Sequence, residues 1–97
     1  MNAPQFAWDP RKAQASAVKH GVSFEEAATA FHDKNGLRIF DPDHSADEER
    51  YLLLAMSGKA RLPVVSHCFR KEDEEIRIIS ALKATKTELA QYARRKT

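Results

Sequence analysis

Residues 61–83 read RLPVVSHCFRKEDEEIRIISALK and contain two strand-like runs joined by a charged connection. The runs, at residues 62–69 and 75–82, are rich in the β-branched and apolar residues that favour strands. The connection between them holds only five residues, which favours an antiparallel hairpin. We expect this hairpin to form the middle of a sheet around which the rest of the chain is organised.

The two faces of the hairpin differ in chemistry, because side chains alternate between faces along a strand. In the second strand, Ile76, Ile78 and Leu82 fall on one face, which their apolar character predicts to be buried. Arg77 and Lys83 then lie together on the opposite face. A partly cationic face suits a phosphate backbone, since arginine makes paired contacts to phosphate oxygens and lysine acts as a point charge.

Two helices are predicted before the hairpin. The first starts at Asp9-Pro10, where Asp9 can cap and proline fits the first helical turn, and it ends at Gly21. The second starts at Ser23, which forms a capping box with Glu26. Because only two residues separate these helices, we expect them to form a tight hairpin that packs on an apolar surface.

The remaining predicted elements are short. A strand at residues 6–8 precedes the helices, strands at residues 37–41 and 50–57 follow them, and a helix at residues 85–95 ends the pattern. We predict an α+β fold, in which the helical hairpin packs on an antiparallel sheet of four to five strands and a C-terminal helix follows. At 97 residues, the chain is expected to form one domain, 1–97.

The composition, with 42% hydrophobic and 31% charged residues, is that of a globular protein. Cys68 is the single cysteine of the sequence, which excludes an intramolecular disulfide and fits a reducing compartment. No apolar run approaches the roughly 18 residues of a membrane span, and the N-terminus lacks the basic and apolar regions of a signal peptide. We therefore expect a cytoplasmic protein with no membrane partner.

Charge is unevenly distributed along the chain. Residues 41–49 carry five acids and no lysine or arginine, whereas residues 83–97 carry five lysines and arginines against one acid, a net of +4. Separated poles of this kind indicate a polyanion or an acidic partner that docks on one side. The alternative is two solvated surfaces without a partner.

Residues typical of metal or cofactor sites are scattered. The four histidines and the single cysteine lack the spacing of metal ligands, and the three isolated glycines form no phosphate-binding loop. The sequence therefore predicts neither a metal nor a cofactor. His67 stands in the hairpin among valines, where a position in the core or at its rim competes with a catalytic role. Cys68 fits a small buried apolar residue better than a nucleophile.

Several segments together resemble the BrnT family, the ribonuclease toxins of bacterial type II toxin–antitoxin pairs. In chain order they are FAWDPRKA (residues 6–13), KHGVSFEEAATAF (19–31), DPDHSADEER (41–50), IRIISA (76–81) and KATKTELAQY (83–92). They follow the order and spacing of the family over nearly the whole chain. The polar residues that match the family by position are Glu49, Arg50, Arg61, Arg70, Arg77 and Tyr92.

The resemblance implies a RelE-like fold that binds RNA in the concave face of its sheet. It also implies a BrnA-type antitoxin with a ribbon-helix-helix part, which would mask the toxin and repress the operon of the pair at its operator DNA. The chain departs from the family at three positions. Ala60 replaces a glycine, Pro63 replaces an apolar residue, and Leu82 stands where the family usually has an arginine.

We hypothesise metal-free RNA cleavage, by attack of the 2′-hydroxyl on the neighbouring phosphate, which would inhibit translation. His67 or Glu49 is the predicted base, and Arg61, Arg70 and Arg77 are predicted to hold the phosphate and stabilise its charge. The predicted RNA-binding residues are Arg50, Lys83, Lys86 and Tyr92. The alternative, raised by the missing arginine, is a weak or inactive homologue that only binds nucleic acid or the antitoxin.

Overall fold

The computed structural model describes residues 5–96, which form five strands, three α-helices and a 3₁₀ turn at Pro42–His44. In chain order the elements are β1 (Gln5–Ala7), α1 (Pro10–His20), α2 (Phe24–Ala30), β2 (Leu37–Phe40), β3 (Tyr51–Leu54), β4 (Pro63–Arg70), β5 (Glu75–Lys83) and α3 (Lys86–Lys96). The α+β prediction is confirmed, and every predicted helix and strand is present within three residues of its expected ends. Thr97, the last residue of the predicted basic segment, lies outside the described residues.

The strands form one sheet in the order β1-β5-β4-β3-β2, so both strands of the β4–β5 hairpin lie inside it. The prediction of an entirely antiparallel sheet is wrong for one pairing, because β1 runs parallel to β5, with Phe6 opposite Ile76. The other neighbouring strands are antiparallel. No short turn joins β1 to β5, so hairpin geometry does not fix their relative direction.

A β-bulge interrupts the hairpin. Ser66 pairs with Ser80, whereas the next residue of β4, His67, pairs with Ile78. Ile79 is therefore an extra residue on β5, and an extra residue shifts the alternation of all side chains beyond it.

The bulge changes which residues of β5 are buried. Before it, Ile76 and Ile78 are buried as predicted, but beyond it Ala81 takes the buried face and Leu82 is 42% exposed. The prediction that Leu82 lies buried beside Ile76 and Ile78 is wrong, because it assumed uninterrupted alternation.

The helix ends follow the predicted chemistry with one exception. Asp9 accepts a hydrogen bond from the backbone N–H of Arg11 at 2.9 Å, and Gly21 ends α1 in a left-handed conformation. Ser23 accepts from the backbone N–H of Glu26 at 3.0 Å. The expected reciprocal bond from the Glu26 carboxylate is replaced, because this carboxylate is bound by side chains that follow β3.

The sheet has two unlike faces. Both α1 and α2 pack on one side, over β5 and β4, and we call this side the helix-covered face. Its core consists of Val22, Phe24, Ala27, Ala30, Leu53, Ala55, Val65, Ile78 and Ala81. On the other side, α3 is held by Tyr92, which packs with Leu54, Leu62 and Val64. We call the uncovered part of that side, between α3 and the β4–β5 turn, the open face.

None of the helices in the described part of the chain has the length and apolar character needed to cross a bilayer.

Candidate functional site

Polar side chains of the two hairpin strands meet on the open face. The pairing of β4 with β5 places Cys68 opposite Arg77, Ser66 opposite Ser80, and Arg70 opposite Glu75. Directly opposite side chains in a sheet are close neighbours. The hairpin therefore presents two arginines, two hydroxyl groups and the Glu75 carboxylate, which Lys71 binds at 3.1 Å, on one surface.

Among residues 5–96, Arg77 is the arginine of this surface whose side chain has no hydrogen-bond or ion-pair partner. It is half-buried, and its neighbours across the strands are Cys68 on β4 and Ala7 on β1, neither of which carries a charge. Within residues 5–96, its guanidinium makes neither a hydrogen bond nor an ion pair. A guanidinium in this position can receive the oxygens of an anion without first losing a protein partner.

Glu48 connects the other two arginines of the open face. It lies 3.2 Å from Arg70 Nη2 and 3.8 Å from Arg50 Nε. Both arginines were predicted as site residues, but Glu48 was not, although its place two residues before Arg50 in the acidic segment was a usable signal. Its carboxylate contacts both of these arginines.

Three further residues line the centre of the open face. Ser66 and Ser80 face each other and are half-buried, so their hydroxyls are available to a sugar or phosphate. Sequence reasoning did not select them, because serines in a strand carry no specific signal. Cys68 is buried, and burial raises the pKa of its thiol, so the thiol stays protonated as expected of a small core residue.

Leu82 and Lys83 lie on different faces from those expected. Beyond the bulge, Leu82 shares the open face with Arg77, whereas the Lys83 side chain runs beside Gly21 at the turn between α1 and α2. The expectation that Arg77 and Lys83 share a face is therefore wrong, because Ile79 shifts the alternation. The position at which the family usually has an arginine thus belongs to the open face.

Arg61 is bound on the helix-covered side. Its Nε donates to Glu26 Oε2 at 3.0 Å, Nη2 donates to the Gly21 carbonyl at 3.2 Å, and a further short contact joins Nη2 to the same carboxylate. The Glu26 side chain is only 1% exposed. Hydrogen bonding to Arg61 is the main cause that holds the pKa of Glu26 below its usual value. The structure thus places Arg61 in a pair that fastens α2 to the β3–β4 connection.

His67 is enclosed on the helix-covered side. Its Nδ1 donates to the Val65 carbonyl at 3.0 Å, and the rings of Phe31 and Phe69 lie 4.9 and 5.4 Å away. Burial lowers its pKa to about 4, so the ring is neutral at pH 7. Its Nε2 has no hydrogen-bond partner among the described residues. These contacts are those of a core histidine.

The remaining predicted residues are also separated from Arg77. Glu49 accepts a hydrogen bond from the Tyr51 hydroxyl at 3.0 Å, and this bond raises the pKa of Tyr51. Tyr92 projects from α3 onto the sheet, where it is buried and donates its hydroxyl to Asp33. Its pKa is raised to about 12, chiefly by burial. Its ring is therefore not presented for stacking. Lys86 is exposed at the start of α3.

A family model described as the ribonuclease toxin BrnT of type II toxin–antitoxin systems matches residues 8–88. The chain belongs to the BrnT family. Membership in a type II toxin–antitoxin family implies an antitoxin partner and an RNA target. A search of curated proteins found no match.

The fold is shared with a solved BrnT. The 1.1 Å crystal structure of the Brucella abortus ribonuclease toxin BrnT is similar to this chain with a TM-score of 0.57 and 21% sequence identity. The match covers 87% of this chain and 100% of that one. At this identity, the comparison establishes a common fold and assigns no site residues.

The described residues of this BrnT-family chain contain no group of three or more histidines, cysteines, aspartates or glutamates that could share a metal ion. The open face offers guanidinium groups, hydroxyls and the carboxylates of Glu48 and Glu75. These groups can hold a phosphate, stabilise added negative charge and accept a proton.

Proposed function

We propose that the protein is an endoribonuclease toxin that binds RNA on its open face and cleaves it without a metal ion. The observation that supports this most strongly is Arg77, a half-buried arginine without a protein partner among residues 5–96. In a RNA-targeting toxin family, such a group is best explained by a phosphate that occupies it in the complex.

In the proposed reaction, the 2′-oxygen of one ribose forms a bond to the adjacent phosphorus while the bond from phosphorus to the 5′-oxygen breaks. The products are a 2′,3′-cyclic phosphate and a 5′-hydroxyl end. Arg77 and Arg70 hold the phosphate oxygens and stabilise the charge that develops on them. The proton of the 2′-hydroxyl passes to a carboxylate, and water returns one to the leaving oxygen.

Glu48 takes the role of base in this proposal. Its carboxylate lies 3.2 Å from Arg70, whereas the two bases predicted from the sequence, His67 and Glu49, lie towards the other side of the sheet. His67 is also enclosed completely. A base must come within hydrogen-bond reach of the proton that it removes, and this requirement favours Glu48.

Flanking RNA is proposed to extend from the arginines towards α3, where Lys86 is exposed. The antitoxin is proposed to be of the BrnA type, with a ribbon-helix-helix part through which the complex represses its operon. We also propose that the fold is related to that of RelE toxins. Because the proposed target is RNA that is being translated, the toxin would act in the cytoplasm.

The test is cleavage of a short RNA by purified protein in the presence of EDTA, with the ends identified by mass spectrometry. We expect cyclic phosphate ends, a loss of about a hundredfold or more in kcat/KM for Arg77→Ala, and about a hundredfold for Glu48→Gln. Arg11→Ala, which removes an exposed arginine from α1, is the matched control. Abolished cleavage in EDTA would contradict the metal-free reaction, and an Arg77→Ala variant as active as wild type would contradict the site.

A second function is favoured by Leu82, which places an apolar side chain, 42% exposed, on the open face. The protein would then bind RNA or its antitoxin without cleaving RNA. In that case RNA binding would persist and fall steeply with salt, while no cyclic phosphate would form. Expression would also leave growth unaffected, whereas an active toxin arrests growth until its antitoxin is supplied.

A further inference from the structure

A second surface lies on the helix-covered side of the sheet, beyond the area under α1 and α2. The ring centroids of Phe40 and Tyr51 are 5.6 Å apart, as are those of Tyr51 and Phe69. Glu49 and Asp73 join Tyr51 and Phe69 in lining an open cavity of about 250 Å³. We call these five residues the aromatic surface. None of them packs beneath a helix in the main core cluster.

The aromatic surface borders an edge of the sheet that has no partner strand. β2 is the last strand of the sheet, and β3 is its one neighbour within residues 5–96. Ile39 and Phe40 are 44% and 46% exposed and, as adjacent strand residues, point to opposite faces. Exposed apolar edge strands tend to pair with other chains unless something covers them.

The charge around the aromatic surface selects the type of partner. Residues 41–49 carry five acids, and residues 71–75 carry four acids and one lysine. Asp73 makes neither an ion pair nor a hydrogen bond within the described part of the chain. This field repels the phosphates of RNA and attracts lysine and arginine side chains.

One ring of the aromatic surface, that of Phe69, already contacts a cationic side chain of the same chain. The Arg38 guanidinium lies 4.9 Å from the centroid of the Phe69 ring, which is within the range of a cation–π contact. Ring faces flanked by carboxylates therefore accept a basic side chain at this place, and the cavity beside Phe69 has room for a further one.

We propose that the aromatic surface and the β2 edge bind an extended segment of the antitoxin, which adds a strand to β2 and places one apolar and one basic side chain against the rings and carboxylates. This inference rests on the proposed function, because it takes the partner to be an antitoxin. Strand addition supplies backbone hydrogen bonds, and the side-chain sites supply specificity. Since Arg77 lies on the opposite face, variants of the aromatic surface separate antitoxin binding from RNA cleavage.

The adjacent open reading frame is expected to encode the antitoxin. The experiment measures, by calorimetry, the dissociation constant of the complex between the toxin and the purified product of that reading frame. Phe40→Ser removes the exposed ring and is expected to weaken binding by roughly tenfold or more. Asp73→Asn removes one charge and is expected to weaken it about threefold at low salt; asparagine tolerates the left-handed backbone of Asp73, whose φ is 71°. Val18→Ser, at an 84% exposed apolar position on α1, is the control that should bind as wild type does.

The possible results test two claims separately: that the adjacent gene encodes the antitoxin, and that the antitoxin binds the aromatic surface. If wild type, Phe40→Ser and Asp73→Asn all bind this product equally well, the product is the antitoxin but the aromatic surface is not its binding site. If wild type does not bind the product, both the assignment of the partner and the proposed binding surface are contradicted. Weakened RNA binding in Phe40→Ser would assign the surface to RNA, and self-association of wild type that Phe40→Ser abolishes would assign it to a second copy. Either result would overturn the proposal. Cleavage of RNA by both variants should equal that of wild type.

Discussion

The two sides of the sheet use the same residue types differently. On the helix-covered side, Arg61 is bound by Glu26, whose side chain is 1% exposed, and His67 is buried and neutral. On the open face, Arg77 has no protein partner among the described residues. Breaking a pair with a buried acid costs stability, whereas an unpartnered arginine mainly affects what the protein binds. The position of a residue relative to the helices, rather than its type, therefore indicates its role.

The largest expected effect separates Arg61 from Arg77 by stability. Arg61→Ala leaves the buried Glu26 carboxylate with the Ser57 hydroxyl but without its cation. We expect the free energy of unfolding to fall clearly in urea denaturation. Arg77→Ala removes no hydrogen bond or ion pair within residues 5–96 and should change it by less than about 0.5 kcal/mol. RNA cleavage per folded molecule should show the reverse order, with Arg61→Ala close to wild type.

Equal destabilisation by the two substitutions would remove the distinction between the faces. So would a loss of cleavage in fully folded Arg61→Ala that matches the loss in Arg77→Ala, because this would return Arg61 to the catalytic role predicted from the sequence.

The next effect concerns pH. Because burial lowers the pKa of His67 from 6.5 to about 4, the unfolded chain binds a proton between these values that the folded protein does not bind. The free energy of unfolding therefore decreases as pH falls, by about 2 kcal/mol between pH 7 and pH 5. In His67→Phe this decrease should be largely absent in urea denaturation at the same two pH values.

The carboxylate of Glu26 contributes little to the change in unfolding free energy between pH 7 and pH 5. Its pKa is lowered from 4.5, so its contribution is complete above that value and is lost only at lower pH. A wild-type protein with the same pH dependence as His67→Phe would show that His67 is accessible and charged, as an open catalytic histidine would be.

The fold was largely readable from the sequence, because its signals are local. Asp9 and Gly21 mark the ends of α1 through capping chemistry that acts within one turn. The pairing of β1 with β5 was not readable, since it joins segments about 70 positions apart without a short turn between them.

The candidate site was only partly readable, and one residue accounts for much of the difference. Arg50, Arg70 and Arg77 were predicted as site residues and lie on the open face, and their roles there stay a prediction. The bulge at Ile79 puts Lys83 on the opposite face from Arg77 and Leu82 on the same face. A prediction that assumes strict alternation of side chains cannot anticipate a β-bulge, which inserts one residue and reverses the faces beyond it. Glu48 was missed because its contact with Arg70 joins a loop to a strand 22 positions later.

The smallest expected effect tests position 82. Leu82→Arg adds a cation to the open face, and we expect RNA affinity to rise about threefold, with a salt dependence steeper by about 0.7 in the log–log slope for single-stranded RNA. Leu89→Arg is the control, since Leu89 is similarly exposed, at 47%, but lines a cavity beside Glu26 and Lys83. If both variants gain equally, the effect is one of net charge and the open face has no special affinity.

The most direct test of the central claim follows the arginine side chains by NMR while a short RNA is added. The RNA carries 2′-O-methyl groups, which prevent attack by the 2′-oxygen. We expect the Nε–Hε signals of Arg77, Arg70 and Arg50 to shift in proportion to the bound fraction, while the signal of Arg61 stays in place beside Glu26. Shifts at Arg61 with none at Arg77 would contradict the assignment of RNA binding to the open face.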